Sequence, residues 1–252
     1  MRMNDILDTL WQTHNDPGGD HAAHLADEAV DFDEGQFMQV DLLNRWLAQG
    51  EQLGGWKIGM TSGASRNALG EGLRPFGFVL DSRIKLSGDS LELDALCRGQ
   101  VENELCFLIG APLGADATRE DAVAAVAGIV PAFEINQKRL PGNASAGLRV
   151  ADNLSNWGIV VGKPVMPNDA LDALNVATLA DGEIVESVSS ADHIDDHFES
   201  LATLARRLAA FGQSLEAGQY VITGAYGKTP FAKGHFRGEF SLDIGSVEVR
   251  LR

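Results

Sequence analysis

The sequence predicts an α+β fold, with helical elements at the N-terminus and a strand-rich body of mixed-sheet or β-roll type. Three observations lead there. The first fifty residues carry apolar side chains at helical spacing. The chain then breaks into short, glycine-flanked apolar runs. Those runs do not alternate regularly with helices, which argues against a doubly wound parallel sheet. The expected division is helical elements over 1–55 and a strand-rich catalytic body over 56–252, forming one structural unit.

The elements follow in order. Ile6, Leu7, Leu10 and Trp11 share one face of a first helix. After an acidic, glycine-containing stretch, Phe37, Val40, Leu43 and Leu47 space out a second helix, with Gly50 as its stop. "GGWKIGMTSG" reads as a buried strand around one lysine, and "GFVLDSRIKL", "DSLELDAL" and "GQVENELCFLIG" read as further strands. "ATREDAVAAVAGI" reads as a helix in which Thr118 and Asp121 form a capping pattern. It runs into the strand "VPAFEINQ", and "NWGIVVGKPV" is another buried strand. Leu201, Leu204, Leu208 and Phe211 make an amphipathic helix ending at Gly212. "YVITGAYGKTPF" and "EFSLDIGSVEVRLR" return to strands.

Composition narrows the function. Thirty-six acidic residues against 20 basic ones give a net charge of -16. Such a chain repels a phosphate backbone and an anionic membrane surface, so neither nucleic acid nor membrane is an expected partner. No apolar run approaches the length of a membrane span, and the N-terminus lacks the apolar core and cleavage site of a signal peptide. A soluble cytoplasmic protein is expected. Cys97 and Cys106 form no disulfide framework or zinc cluster and read as small core residues.

Within "VENELCFLIG", Glu102 and Glu104 are two residues apart, so a strand sends both to one face. Both faces turn apolar after Leu105, which places the acids at one end of a strand buried on both sides. Glu134, in "GIVPAFEIN", sits between Phe133 and Ile135 in a similar setting. Like charges so placed are costly unless a cation or protons compensate. One reading is a hard-cation site with oxygen ligands, suited to Mg²⁺ or Mn²⁺. The other is that these acids are exposed at strand ends or pair with Lys and Arg.

Lys57, between Trp56 and Ile58, is a buried functional lysine or one that snorkels from a sheet edge. Charge favours function. Three carboxylates and one divalent cation leave a single negative charge, which a lysine cancels before an anionic substrate arrives. "ADNLSNWG" groups Asp152, Asn153, Ser155 and Asn156 in a polar loop that can be only a turn. "GAYGKT" is two residues short of a phosphate loop. His21/His24 and His193/His197 have helix-compatible metal spacing but no accompanying motif, and "ADHIDDHF" reads as a capped helix start. A nucleophile elbow and a dinucleotide fingerprint are both lacking.

Taken together, "GWKIGMTS", "VENELCFLIG", "PAFEI", "ADNLSNWGIVVG", "LARRLAAFGQSLEAGQYVITG" and "GSVEVRL" resemble, in order and spacing, the 2-keto-4-pentenoate hydratase family. That family includes 2-oxohept-3-enedioate hydratases and 4-oxalocrotonate decarboxylases, within the wider fumarylacetoacetate hydrolase superfamily. The resemblance spans residues 37–252. It implies a mixed β-sheet or β-roll body of the fumarylacetoacetate hydrolase C-terminal type. It implies a Mg²⁺ or Mn²⁺ site at Glu102, Glu104 and Glu134, a catalytic lysine at Lys57, and a substrate-binding serine at Ser155. Asn153 of the same loop and Phe76 of the "RPFG" turn are placed on the substrate side with it. The family also implies a homo-oligomer.

Some stretches depart from the family. Its acid in a Pro-Asp-aromatic-Gly turn is missing from "RPFG", although Asp81 follows. "NQKR" stands where "VDSR" is usual, and "FAKGHFRGEF" replaces "VKPGD". "TGAYGKTPF" carries a faint likeness to the "TGTP" turn of the hydrolase branch. The expected activity is hydration of a 2-hydroxy-2,4-dienoate or unsaturated 2-oxo acid through a metal-chelated enolate. Lys57 would neutralise the carboxylate or relay a proton, and Ser155 would hydrogen-bond it. The alternatives are decarboxylation of a vinylogous 2-oxo acid, acylpyruvate-type C–C hydrolysis, and a non-catalytic homologue.

Overall fold

A computed structural model describes residues 3–68, 70–168 and 170–252. Two helices open the chain, α1 (Met3–Asn15) and α2 (Phe32–Ala48). The body then contributes β1 (Leu53–Ile58), β2 (Phe76–Leu80), β3 (Ile84–Leu86), β4 (Ser90–Leu91) and a single-turn helix α3 (Leu93–Leu96). The central strands β5 (Gly99–Ile109) and β6 (Val126–Gln137) flank α4 (Arg119–Ala125). Next come α5 (Ala146–Ala151), β7 (Asn156–Val161), β8 (Asn175–Ala180), β9 (Glu183–Ser189) and α6 (His197–Ala210). The chain closes with β10 (Tyr220–Pro230), β11 (Gly234–Phe240) and β12 (Gly245–Leu251).

Among the described residues, twelve strands form two mixed sheets. A seven-stranded sheet runs β2-β1-β10-β5-β6-β7-β3, and a five-stranded sheet runs β4-β12-β11-β8-β9. Most pairs are antiparallel, but β1 pairs parallel with β10 and β3 with β7, as the mixed α+β reading expects. Phe107, Phe133, Val101 and Ile135 of the large sheet share one core with Phe236, Val247 and Val249 of the small one. Being covered on this side, β5 and β6 are buried almost throughout. The N-terminal helices are part of the same packing. Val40, Leu42, Leu43 and Trp46 of α2 join the main core, while Ile6, Leu10 and Met38 pack with Leu148 and Ala151 of α5.

Helix ends follow the expected chemistry. Thr118 and Asp121 form a reciprocal capping box on α4, and Asp196 caps α6 by accepting from the Glu199 N–H. The second helix starts earlier than its spacing suggests, because Asp31 caps it by accepting from the Glu34 N–H. Its buried face is also rotated. Phe37 and Leu47 are exposed, while Gln36, Gln39, Leu42 and Trp46 are buried. Two buried glutamines on that face hid it from an apolar count. Helix α5 and the β8–β9 hairpin are additions to the sequence reading. The helix is too short to show a period, and β9 is a largely exposed edge strand. In "DSLELDAL" only Ser90 and Leu91 pair. Cys106 is buried as expected, but Cys97 is exposed, in a positive-φ turn after α3. No helix among the described residues is long and apolar enough to cross a membrane.

Candidate active site

The three glutamates come from neighbouring strands. In the β5–β6 ladder Glu102 lies directly opposite Glu134, and Glu104 sits two residues further along the same face as Glu102. One carboxylate oxygen from each falls within 4.8 Å of the others, and all three side chains are buried. Strand β10 runs on the other side of β5, and its Lys228 is paired across the ladder with Glu102. Beyond β10 lies β1, whose Lys57 reaches back to the cluster.

Each carboxylate is held by the chain itself. Glu134 Oε1 accepts from Lys57 Nζ at 2.5 Å and from Asn156 Nδ2 at 2.8 Å. Glu104 Oε2 accepts from the Gly224 N–H at 2.5 Å. Glu102 Oε1 accepts from Gln100 Nε2 at 2.6 Å, and its Oε2 lies 3.1 Å from Lys228 Nζ. Gly224 sits in an irregular stretch of β10 with φ +138°, and a Cβ there would meet Thr61 Oγ1 at 2.4 Å. Only glycine therefore lets that backbone N–H approach Glu104.

Burial pushes the Glu104 carboxyl well above its usual range, and Glu134 and Glu102 push it further, against the pull of Lys57 and the Gly224 N–H. For Lys228, burial disfavours the charged ammonium, but Glu102 first, then Glu134 and Glu104, more than restore it. Three acids against two lysines leave one negative charge. A divalent cation turns that into one positive charge, which suits an anionic ligand.

The cluster forms one wall of a cavity of about 300 Å³. Lys57, Thr61, Ser62, Ser155, Lys138 and Arg149 are among the other residues that line it. Ser155 is thus brought to the same cavity as the three glutamates and Lys57. Two assignments need correction. Phe76 is fully buried on the far side of the sheet, edge-on to Trp56 and Phe211 with ring centroids 5.6 Å away in each case. Its neighbour Gly77 is the residue that faces Lys57, so strand alternation turns Phe76 into the core. Asn153 is also withdrawn from the cavity. Its amide accepts from the Phe78 N–H at 2.7 Å and donates to Phe78 O at 2.9 Å, so it serves as a strand partner for β2. Gln39 donates to it as well, at 3.0 Å.

Lys228 and the Gly224 N–H were not singled out by sequence, and Asn156 was read only as part of a polar loop. Lys228 and Gly224 lie in "GAYGKT", whose glycines draw attention to phosphate binding rather than to the ladder opposite Glu102. Histidines of both pairs have protein partners of their own. His197 is bound to Thr223 and Tyr226 at 2.7 Å each, His193 to Ala225 O, and His21 to Asp16.

Residues 68–251 match the family model described as fumarylacetoacetate (FAA) hydrolase C-terminal. The chain belongs to this family. Fumarylacetoacetate hydrolase-type relatives include a 4-oxalocrotonate decarboxylase from Pseudomonas sp, 31% identical over 79% of this chain and 78% of that one. The 2-keto-4-pentenoate hydratase 1 of Dechloromonas aromatica (strain RCB) is 30% identical over 92% of this chain and 90% of its own. Among solved structures, 4-oxalocrotonate decarboxylase from Pseudomonas putida G7, complexed with calcium and acetate, superposes with a TM-score of 0.88 at 24% identity. The match covers 100% of this chain and 99% of that one. The same enzyme complexed with magnesium and adipate gives 0.85 at 23%, with the same coverage. These likenesses establish a fumarylacetoacetate hydrolase-type fold over the whole length.

The donor set fits a hard divalent cation. It is all carboxylate oxygen, it is buried, and Glu134 Oε2 has no hydrogen-bond partner. Asn156, Gln100 and the Gly224 N–H orient oxygens that do have partners, and Lys57 and Lys228 balance charge beside them.

Proposed function

We propose that the cavity is the active site of a divalent-metal-dependent hydro-lyase. Its substrate would be a short 2-hydroxy-2,4-dienoate or the unsaturated 2-oxo acid tautomer. The observation that carries the reading is the buried Glu102, Glu104 and Glu134 cluster, three acids within 4.8 Å whose charge Lys57 and Lys228 balance only in part. Relatives named as hydratases, at up to 33% identity, supply the reaction class. Mg²⁺ or Mn²⁺ would be held by the three glutamates, and when bound it supplies a Lewis acid for the carboxylate and 2-oxygen of the substrate.

The chain's own groups do the rest. Lys57 is fixed by Glu134, so its remaining N–H bonds are aimed rather than mobile. It offers a positive charge to the substrate carboxylate and relays the proton that the 2-hydroxyl gives up as the diene ketonises and takes up a proton at carbon. The Ser155 hydroxyl lines the same cavity and donates to the carboxylate. Lys228, on the Glu102 side, supplies the second cation and balances the incoming anion.

Decarboxylation of a vinylogous 2-oxo acid is the second reading, and one observation favours it. Among the described residues, the lining holds no histidine and no acid beyond the three glutamates, so it offers no separate general base for activating water. Loss of CO₂ needs no such water. The same gap weighs against C–C hydrolysis. Cytoplasmic location and self-association remain part of the proposal, on the strength of the family alone.

The test uses purified protein with Mg²⁺ or Mn²⁺, given 2-hydroxypenta-2,4-dienoate and then 4-oxalocrotonate. Loss of diene absorbance without CO₂ supports hydration. CO₂ from the second compound supports the decarboxylase. No turnover of either compound by metal-loaded protein counts against both.

A further inference from the structure

Three successive residues beside the cavity, none of them glycine, adopt left-handed backbone: Asn153 at φ 57°, Leu154 at 51° and Ser155 at 64°. One such residue is uncommon and a run of three is strongly disfavoured, so surrounding contacts must impose it. The run does two things. It turns Leu154 and Ser155 into the cavity, and it delivers Asn156, the next residue, to Glu134 Oε1.

The contacts that impose it lie behind the loop, out of the cavity. Arg139 is buried and spends its guanidinium on both ends of the run. Its Nη2 donates to Asp152 O at 2.9 Å and to Asn156 O at 3.1 Å, which clamps the residues just before and just after the run. Its Nε donates to Asp152 Oδ1 at 2.8 Å, and its Nη1 to Gln137 Oε1 at 2.9 Å. Asp152 Oδ1 is also bound by His14 Nε2 of α1 at 3.0 Å. The Asp152, His14 and Arg139 side chains are wholly removed from solvent. A buried charged cluster of this kind is poor value as a stabiliser, and setting a geometry is its better-attested use.

We propose that Arg139, backed by Asp152 and His14, is a positioning residue of this site. It holds the left-handed run so that Ser155 meets the substrate and Asn156 orients Glu134. This rests on the cavity being the reaction site proposed above. A lysine cannot replace Arg139, because its single nitrogen cannot span the Asp152 and Asn156 carbonyls together with Asp152 Oδ1 and Gln137.

The test compares wild type, Arg139→Gln, Arg139→Lys, His14→Gln, Ser155→Ala and the Arg139→Gln/Ser155→Ala double variant by calorimetry. Each is titrated with Mn²⁺, then with 2-oxopentanoate, with folding checked by circular dichroism. Both Arg139 variants are expected to lose about tenfold or more in Mn²⁺ and 2-oxo acid affinity, the range usual for partners that orient metal ligands. His14→Gln moves both affinities the same way by a smaller factor. Adding Ser155→Ala to Arg139→Gln changes 2-oxo acid affinity by less than about twofold, because the serine has already lost its position.

A fully multiplicative double variant, rescue by lysine, or affinities unchanged in the folded variants overturns the proposal. If Arg139→Gln and Arg139→Lys fail to fold, His14→Gln decides it, and unchanged affinities there overturn it. A wild type that binds Mn²⁺ but no 2-oxo acid overturns the proposed function instead, and the brace is then judged on Mn²⁺ affinity alone.

Discussion

Lys57 Nζ lies 2.5 Å from Glu134 Oε1, and both side chains are almost wholly removed from solvent. A buried pair of this kind is marginal as a stabiliser, and it is costly to break from one side. Lys57→Gln leaves Glu134 uncompensated, so the metal-free variant should lose about 3–5 kcal/mol of stability. A divalent cation would replace the missing charge. Mn²⁺ should therefore bind at least as tightly as to wild type and restore most of the lost stability. Activity should not return, with kcat/KM down about 100-fold or more for want of the proton donor. Thermal melts with and without Mn²⁺, followed by steady-state rates, check the three parts. Weaker Mn²⁺ binding would show that Lys57 organises the acids instead of serving the substrate.

Phe76 is core, so its replacement should report on folding alone. Phe76→Ala should cost about 3–5 kcal/mol, as expected for a fully buried phenylalanine. At a temperature where the variant stays folded, KM should match wild type within about twofold. A large rise in KM with normal stability would return Phe76 to the substrate side.

Gly224 places its N–H on Glu104 because it has no side chain. In Gly224→Ala the new Cβ would crowd Thr61 Oγ1 at 2.4 Å and Ile194 Cδ1 at 2.9 Å, in backbone that L-residues avoid. Urea melts should show a loss of about 1–3 kcal/mol. Mn²⁺ titration should show about tenfold weaker binding, because Glu104 loses the group that orients it. Normal Mn²⁺ affinity would mean that the backbone contact is incidental.

Two histidines make stability depend on pH. Burial holds His14 down to about 4, with Arg139 as the next cause, and burial does the same for His197. Both are therefore neutral in the folded protein between pH 4 and 6.5, while the unfolded chain takes up a proton at each. The unfolded state binds more protons across that window. The contribution of each is complete above pH 6.5 and is lost as pH falls towards 4, by about 3 kcal/mol apiece. Urea melts of wild type and His197→Gln from pH 7.5 to 4.5 isolate one of them. The gap between the two proteins should shrink as pH falls, and a gap that stays constant would contradict it.

Much of this was legible in the sequence because it rests on short-range spacing. Glu102 and Glu104 share a face by strand alternation, and the apolar residues around Glu134 mark a buried strand. The α4 cap and the α6 stripe were readable for the same reason. What could not be read depends on register between strands far apart in the chain. That Lys228 opposes Glu102, or that Gly77 rather than Phe76 faces Lys57, follows only once β10 lies against β5 and β2 against β1. Asn153 misled because a polar loop beside a site suggests ligands, whereas its amide completes a β2 pairing. Arg139 was invisible as a brace, because its role depends on the left-handed run from Asn153 to Ser155 and on Asp152 being held from behind by His14 of α1.

The central claim is that Glu102, Glu104 and Glu134 exist to hold a divalent cation, and Glu104→Gln tests it most directly. Mn²⁺ binding is measured by calorimetry on metal-stripped wild type and variant. The amide keeps the shape of the carboxylate and removes one charge from the crowded cluster, so the metal-free variant should be at least as stable as wild type. Its Mn²⁺ affinity should fall by about 100-fold or more, beyond the effect of losing an orienting partner. Mn²⁺ bound by the variant with wild-type affinity and stoichiometry would contradict the account.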